Sequence, residues 1–388
     1  MFRRNSAVVI IFWLIELNSC SSDCFTPWGS PGVCKNIKQC EPMLGLLKRR
    51  PLSEEALNVL KSAQCGFEGM DPKVCCRLQR NASAVVVTPG SADRLQTASS
   101  TPRIDVVNSH PNLRLLDDEI CGPIAEDRIF GGSRAAVFEF PWMALLAYDI
   151  GKRRPEFRCG ASLINRRYLL TAAHCVTSLP SNLRLISARI GDLDLSTDRD
   201  CDLAESSHKI NCADKHEDVG IERVHVHPEF SREKLHNDIA LIRMRRDVEF
   251  RSRNIRPICL PIGPAAILKS KKVTVTGWGA TENSTRSSEL LKVELPVVDI
   301  TKCARAYQST SIRIWHKHLC AGGSNKMDSC SGDSGGPLQA LSFVQGSPKV
   351  IQYGVVSFGP QSCGVEGLPG VYTRVAYYIR WILDTIYE

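Results

Sequence analysis

The distribution of cysteine constrains this chain more than any other feature of its sequence. Of 17 cysteines in 388 residues, six fall in the stretch from Cys24 to Cys76, and nine follow Cys121. None lies between Cys76 and Cys121. So many cysteines are typical of a chain that folds in an oxidising compartment, where disulfides persist. The pattern predicts a small disulfide-rich unit, a connection without cysteine, and a larger domain with scattered bridges.

The first 22 residues have the anatomy of a secretory signal peptide. Arg3 and Arg4 precede the apolar run 7–15, and small polar residues follow it. That run is too short to span a bilayer, and no second run of spanning length follows. A buried N-terminal helix is the alternative interpretation. We expect a secreted, extracellular protein that loses Cys20 with the signal and keeps an even number of cysteines.

Two further segments precede the large domain. Residues 23–76 are too few to bury a core unaided, so their cysteines predict a disulfide framework, whose connectivity the sequence alone leaves open. A short helix is expected within 52–64, where apolar residues share one face. Residues 77–128, rich in Ser, Thr, Ala and Pro over much of their length, predict a flexible linker and pro-segment. Asn81 and Asn283 each begin an Asn-X-Ser/Thr acceptor sequence for glycosylation.

Residues 129–388 have a different sequence pattern. Short β-like runs alternate with turns, and a helical pattern is scarce until AYYIRWILDTIY at 376–387. This predicts a mostly β domain of about 250 residues with a C-terminal helix. We find no internal repeat and no CxxC or HExxH metal signature.

Three short motifs in this domain carry residues suited to nucleophilic catalysis. They are TAAHC at 171–175, NDIAL at 237–241 and GDSGGP at 332–337. Ser334 would need a base to take its proton, and a histidine such as His174 is well poised near neutral pH. Asp238 would then fix the imidazole tautomer. Each motif alone has an ordinary structural explanation, but the three together on one exported β-rich chain indicate a catalytic trio.

The glycines around Ser334 suit the same chemistry. They allow a sharp turn at the serine, and the backbone N–H groups of Gly332 and Ser334 can face a developing oxyanion.

With these motifs in hand, residues 129–388 resemble the chymotrypsin-like (trypsin-family) serine proteases. The resemblance spans the whole segment in the family's order: PWMALL, CGASLI, TAAHC, DIAL, PICLP, GWG, GDSGGP, VSFG and PGVYTRV. It implies a mostly β fold class, the chymotrypsin-like double six-stranded β-barrel, with the triad in the cleft between the barrels. Ala161 and Phe358 depart from the common glycine and tryptophan, and neither is a triad member.

The resemblance also assigns specificity residues. Asp328 matches the floor of the primary pocket, where a carboxylate would pair with a substrate arginine or lysine. Ser329 beside it adds a hydroxyl. Gly359 and Gly370 match the pocket walls, where a side chain would block entry. Ser357 matches the strand residue that meets the triad aspartate.

A cut site is the next implication. Ile129-Phe130-Gly131-Gly132 resembles the new N-terminus that this family exposes on activation, and Arg128 before it suits a trypsin-like activating protease. Phe130 departs from the common valine. The freed amino group of Ile129 would pair with Asp333, next to Ser334, and so shape the oxyanion hole and pocket.

The N-terminal unit resembles the clip domain of arthropod clip-domain serine proteases, which act in extracellular cascades such as Toll activation and melanization. The adjacent Cys75 and Cys76 and the cysteine spacing carry this resemblance. It implies the following pairs across the chain: Cys24–Cys75, Cys34–Cys65, Cys40–Cys76, Cys121–Cys259, Cys159–Cys175, Cys201–Cys212, Cys303–Cys320 and Cys330–Cys363. Cys121–Cys259 would hold the cleaved pro-segment to the catalytic part.

No cofactor is expected for catalysis, but one loop has the chemistry of a structural calcium site. Its hard oxygen donors are Asp192, Asp194, Thr197 and Asp200. Clip proteases that resemble this chain carry calcium there, whereas a solvated acidic loop is the alternative. The basic clusters at 243–246 and 269–272 are interpreted as solvated faces, with a polyanion site as the alternative.

The leading hypothesis is a zymogen of a trypsin-like endopeptidase that cuts a zymogen or cytokine precursor. Its partners would be that protein substrate, an upstream activating protease and a serpin-type inhibitor, with no nucleic acid and no membrane. A non-catalytic clip-domain homologue that acts as a cofactor or adaptor is the alternative, although His174, Asp238 and Ser334 are all present. A third hypothesis makes the clip unit a binding module, with proteolysis secondary.

Overall fold

A computed structural model describes most of the chain beyond the N-terminal region. The described residues are 24–26, 31–47, 56, 59–60, 63–68, 71–77, 107, 109–117, 119–125, 134–204, 209–280, 286–310, 312–324, 332–360 and 365–388. The chain divides into two compact units, residues 1–97 and 98–388, and each is described by itself.

The described part of the first unit is a small antiparallel sheet with a short helix. Its strands, in the spatial order β1-β2-β4-β3, are β1 (Cys24–Phe25), β2 (Pro31–Asn36), β3 (Gln64–Glu68) and β4 (Asp71–Arg77). Helix α1 (Glu41–Leu47) packs Met43 into a core that contains the Cys40–Cys76 bond. Ala56, Val59, Leu60 and Ala63 are helical, within the segment where a helix is expected.

The second unit contains two closed six-stranded barrels. The first has the order β11-β12-β7-β6-β5-β8 and consists of β5 (Met143–Asp149), β6 (Glu156–Leu163), β7 (Tyr168–Thr171), β8 (Arg184–Ile190), β11 (Glu217–Val226) and β12 (Ala240–Met244). A separate hairpin pairs β9 (Cys201–Ala204) with β10 (Lys209–Cys212).

The second barrel has the order β13-β14-β15-β18-β17-β16. Its strands are β13 (Lys272–Gly277), β14 (Leu291–Val298), β15 (His318–Ala321), β16 (Pro337–Val344), β17 (Ser347–Phe358) and β18 (Gly370–Arg374). Two short helices follow strands of this barrel, α2 (Ile300–Ala306) and α3 (Ile379–Thr385). This architecture confirms the predicted double barrel with a C-terminal helix.

Buried polar pairs join the two barrels. The indole Nε1 of Trp142 donates to Gln339 Oε1 at 2.8 Å, and Ser162 Oγ donates to Gln352 Oε1 at 2.6 Å. All four side chains are fully buried. Because a buried polar group without a partner is costly, these pairs fix one relative position of the barrels.

Five of the eight expected disulfides join described side chains. They are Cys40–Cys76, Cys121–Cys259, Cys159–Cys175, Cys201–Cys212 and Cys303–Cys320. Cys34 and Cys75 are also disulfide-bonded. The side chains of Cys24 and Cys65, and residues Cys330 and Cys363, lie outside the described residues, so the other three pairings remain predictions.

Part of the expected linker is folded. A 3-10 helix covers Pro111–Leu115, and Leu116 is buried in the core of the second unit. Residues 78–106 lie outside the described residues. The composition of this segment predicts a linker. Composition does not show that Leu116 packs into a core formed by residues that are distant in the sequence.

The basic cluster at 243–246 agrees only in part with its interpretation as a solvated face, because Arg245 and Arg246 are exposed but Arg243 is not. Arg243 is buried and donates to Tyr168 Oη at 3.1 Å and to the backbone oxygens of Tyr387 and Glu388 at 2.8 and 3.0 Å. It therefore binds the C-terminus. The cluster at 269–272 is exposed, as expected.

A buried ion pair links the segment before β5 to the second barrel. Lys292 Nζ lies 2.7 and 2.8 Å from the two carboxylate oxygens of Glu139, and both side chains are about nine-tenths buried. Glu139 also accepts from the backbone N–H of Ala136 at 3.0 Å. Removing the cation would leave a buried carboxylate without its countercharge.

We therefore expect Lys292→Met to lower the free energy of unfolding by about 3 kcal/mol or more. Lys272→Met is the matched control, because its pair with Glu294 is exposed and contributes under about 1 kcal/mol. Urea unfolding of both variants measures the two losses. Equal losses would contradict a special role for the buried pair.

Candidate active site

The structure places His174 and Asp238 in direct contact. Imidazole Nδ1 lies 2.7 Å from Asp238 Oδ2, and the backbone N–H of His174 donates to Asp238 Oδ1 at 2.9 Å. The aspartate is fully buried, whereas the imidazole is 23% exposed. A carboxylate acceptor places the proton on Nδ1 and leaves the Nε2 lone pair free to accept one.

Both barrels hold the Asp238 carboxylate. Ser357 Oγ, from the second barrel, donates to Oδ2 at 2.5 Å. Ser357 sits where the β17–β18 register shifts, and a bulge of this kind re-aims a side chain. Thr373 Oγ1 in β18 donates to the Asp238 carbonyl at 2.7 Å. The expected contact of Ser357 with the aspartate is present, and Thr373 is a partner that the sequence did not suggest.

The turn before Asp238 depends on Asn237. This residue has a φ of 53°, in the left-handed region where asparagine is among the few residues tolerated. Its Oδ1 accepts from Tyr378 Oη at 2.9 Å and from Lys317 Nζ at 3.2 Å. Its Nδ2 donates to the Glu229 carbonyl at 2.9 Å. Sequence reasoning missed this role, for which the only signal was an Asn next to the aspartate.

The turn that carries Ser334 packs against the His174 segment. Gly335 has a φ of 81°, and a Cβ there would lie 2.2 Å from Thr171 Oγ1 and 3.2 Å from Cys175 Sγ. Cys175 Sγ is itself 3.7 Å from His174 Nε2. Only glycine fits at 335, and the fit packs the turn that carries Ser334 against the segment that carries His174. Among the described residues no hydrogen bond joins the two, which is common without substrate.

Asp333 occupies a niche lined by backbone. The N–H of Gly279 donates to Asp333 Oδ1 at 2.9 Å. A Cβ on Gly277 would lie 2.1 Å from that oxygen, and one on Gly279 would lie 2.5 Å from both oxygens. The GWG motif is therefore glycine-rich because the carboxylate approaches its backbone, a role that sequence reasoning did not assign.

The two pocket-wall glycines face each other. A Cβ on Gly359 would lie 3.8 Å from the Cα of Gly370, and no other heavy atom of the described residues lies within 4 Å of it. Gly359 follows β17 and Gly370 begins β18, so the walls belong to adjacent strands.

Several predicted site residues lie outside the described residues. They are Asp328 and Ser329 of the pocket, Arg128 and Ile129 of the cut site, and the glycosylation acceptors Asn81 and Asn283. Gly332, with a φ of 110°, is the described residue that leads into the Ser334 turn.

The acidic loop gathers two of its four predicted oxygen donors. Asp192 and Asp200 are buried, and burial raises the pKa of Asp192, with the Asp200 charge adding to the rise and His216 opposing it. Asp192 Oδ1 has no hydrogen-bond partner among the described residues. Such a buried oxygen beside a second carboxylate fits a hard cation.

The other two predicted donors make local hydrogen bonds. Asp194 accepts from the N–H and Oγ of Ser196 at 3.0 and 2.7 Å. Thr197 Oγ1 donates to Asp200 Oδ1 at 2.7 Å. Two basic groups that the sequence did not flag also face Asp192, with Arg189 at 3.4 Å and His216 at 3.5 Å.

One cluster beside the site resembles a metal centre by composition. Among the described residues, Cys159, His174 and Cys175 are the only three possible ligand side chains within 4.8 Å of one another. The two cysteines form a disulfide, so neither offers a thiolate.

His318 is buried behind the site at the start of β15. Burial lowers its pKa to about 4, although a hydrogen bond to the Leu235 carbonyl opposes the fall. Its Nδ1 has no hydrogen-bond partner among the described residues. The ring is therefore neutral at physiological pH and adds no charge near Asp238.

Comparison with known proteins agrees with this geometry. The trypsin family model matches residues 129–382, and a model described as the regulatory CLIP domain of proteinases matches residues 24–76. CLIP domain-containing serine protease B4 of Anopheles gambiae is 38% identical, over 94% of this chain and 92% of that protein. Melanization protease 1 of Drosophila melanogaster is 34% identical, over 97% and 98%.

A solved structure is similar along most of the chain. The Drosophila Grass clip serine protease of the Toll pathway has a TM-score of 0.61 and 33% identity, and the match covers 93% of this chain and 96% of that one. The fold and site define a trypsin-like serine endopeptidase. The chain belongs to the trypsin family, among the proteases that carry a clip domain. The predicted family and enzyme class are confirmed.

His318 generates a prediction about acid stability. Its pKa is 6.5 when unfolded and about 4 when folded, so the unfolded chain binds the extra proton in that window and stability falls as pH drops through it. The loss is about 3 kcal/mol. His318→Met should flatten the fall in melting temperature between pH 6.5 and 4, whereas His316→Gln, at an exposed histidine whose pKa is lowered less, should flatten it less. An unchanged slope in His318→Met would refute this account.

Proposed function

We propose that this protein is the secreted zymogen of a trypsin-like endopeptidase that cleaves a protein substrate after arginine or lysine. The observation that carries the proposal is the 2.7 Å contact between His174 Nδ1 and the fully buried Asp238, next to the glycine turn of Ser334. Among the described residues, no helix has the length and apolar character needed to cross a lipid bilayer.

The chemistry follows from these groups. His174 Nε2 takes the proton of Ser334 as its Oγ attacks the substrate carbonyl, and later gives it to the leaving amine. The Asp238 carboxylate orients the imidazole and stabilises the imidazolium. The N–H groups of Gly332 and Ser334 bind the oxyanion, each contributing about 3 kcal/mol. Labelling of activated enzyme by a serine-directed fluorophosphonate, lost in Ser334→Ala, tests this assignment.

The physiological substrate is proposed to be a zymogen or cytokine precursor of an extracellular cascade. The similar proteins include a melanization protease, a phenoloxidase-activating factor of Holotrichia diomphalia (37% identical) and the Grass protease of the Toll pathway. An upstream protease would activate this chain, and a serpin-type inhibitor would stop it. His174, Asp238 and Ser334 are all present, so no observation favours the non-catalytic cofactor or adaptor.

The pocket generates a prediction about specificity. With Asp328 at its floor, the activated enzyme should cleave after Arg or Lys, and Asp328→Ser should lose roughly 100-fold or more in kcat/KM because the substrate cation loses its partner. Ser329→Ala is the neighbouring control, with a smaller loss. Efficient cleavage after Phe or Glu by the unmutated enzyme would refute the assignment.

The cut site generates a prediction about activation. Arg128→Gln should yield a secreted, folded and inactive protein, because no new Ile129 amino group forms to pair with Asp333. Arg128→Lys is the control and should still be activated by a trypsin-like protease. Activity on an arginyl peptide substrate, with N-terminal sequencing, measures both. Full activity of uncut Arg128→Gln would refute the switch.

We further propose that Asp192 and Asp200 bind a structural calcium ion, with Asp194 and Thr197 as the other predicted donors. When bound, the ion would neutralise two buried carboxylates. Catalysis itself needs no cofactor.

Calcium should therefore raise the melting temperature of the full chain, because it binds the folded state. Asp192→Asn should abolish the shift, whereas Asp198→Asn, at an exposed acid of the same loop, should retain it. Differential scanning fluorimetry with millimolar calcium and then with chelator measures both. A melt indifferent to calcium would leave an acidic loop held by Arg189 and His216.

A further inference from the structure

The segment that precedes the proposed cut site contacts the rest of the second unit in three places. We call this segment the strap and define it as residues 109–117 and 119–125. Cys121 is its covalent attachment, through the bond to Cys259.

The first contact is at the C-terminal helix. The side-chain Nδ2 of Asn112 donates to the carbonyls of Leu383 and Ile386, both at 2.9 Å. The last carbonyls of a helix have no partner within the helix, so a side chain from another segment caps α3. His110 Nε2 lies 3.0 Å from Asp384 Oδ1 on the same helix. The strap thereby supplies a hydrogen-bond donor to two carbonyls at the helix end.

The second contact is apolar. Leu116 is buried in the main hydrophobic core of the unit, and Leu113 and Leu115 pack against that core. Withdrawal of the strap would expose this apolar surface to water, which is unfavourable.

The third contact is at the edge of the second barrel. The N–H of Gly122 donates to the Pro257 carbonyl at 2.8 Å, and the Val350 N–H donates to the Gly122 carbonyl at 3.0 Å. Gly122 has a φ of 54°, and a Cβ there would lie 2.3 Å from Val350 O. This close approach accepts glycine alone, so backbone hydrogen bonds fit the strap to the barrel in addition to the neighbouring disulfide.

We propose that the strap is a permanent part of the catalytic unit and retains the N-terminal chain after the cut even without the Cys121–Cys259 bond. The inference rests on the proposed cut after Arg128. On this proposal the strap, a segment of the same chain, permanently covers the surface formed by α3, the core around Leu116 and Val350.

The test uses the full chain in which Ser334→Ala prevents self-digestion and Cys121→Ser with Cys259→Ser removes the bond. After cutting, with the cut verified by N-terminal sequencing at Ile129, gel filtration is run without denaturant. The two fragments should co-elute and should separate in urea. Separation without denaturant, from a chain that co-migrated with the parent before cutting, would overturn the proposal.

Two strap variants test the contacts themselves. Asn112→Ala should weaken retention by about tenfold or more, measured from elution at serial dilutions, because two helix-end carbonyls lose their donor. Arg114→Ala is the matched control, since its pair with Glu388 is exposed and its loss should change retention less than about threefold. Equal effects of the two would argue against the helix cap.

Two further experiments distinguish failure of the strap proposal from failure of the activation proposal. If the cysteine variant does not fold, the native protein is cut, reduced and alkylated, and run on the same column. If no cut occurs after Arg128, the proposed activation fails, and the strap is then tested in a variant that carries the site of an unrelated sequence-specific protease at 126–128. Loss of the N-terminal fragment in either form contradicts the strap and leaves the activation proposal untouched.

Discussion

The buried carboxylate of Asp238 is the charge on which the arrangement of the second unit depends. It lies between the barrels and receives hydrogen bonds from His174 on one side and Ser357 on the other. A fully buried carboxylate without partners would cost several kcal/mol. Neither barrel alone satisfies it, so the charge is stable only when the two barrels are docked, and docking therefore also assembles the site.

The docking interface explains why the barrels meet in one register. An interface of aliphatic side chains alone would tolerate small shifts, because dispersion contacts are not directional. Here Trp142–Gln339 and Ser162–Gln352 are directional and fully buried. A shift of about 1 Å would break these bonds, and it would also misplace His174 relative to Ser334. The same contacts that position the barrels thus set the precision of the catalytic geometry.

What could be predicted from the sequence depends on how far apart along the chain the interacting residues lie. His174, Asp238 and Ser334 lie in local motifs whose residue types carry their chemistry, so the family and the double barrel were accessible. Asn237 and Gly279 were missed because their roles appear only once distant segments meet, as when Asp333 contacts a backbone N–H 54 residues earlier. The folded part of 77–128 was missed for the same reason, since the carbonyls capped by Asn112 lie more than 270 residues away.

The anchors on either side of the cut site bear on how the proposed activation could work. Gly122 is fixed at Val350 on one side, and on the other Arg134 pairs with Asp202 and Glu289 at 2.6 Å. Arg134 is five residues from Ile129, so the new amino group stays within roughly 17 Å of that anchor, from about 3.4 Å per extended residue. Such a short tether limits the volume that the freed amino group can explore after the cut. Cutting then need not refold the unit. It releases one end of a chain that the strap and Arg134 already hold in place.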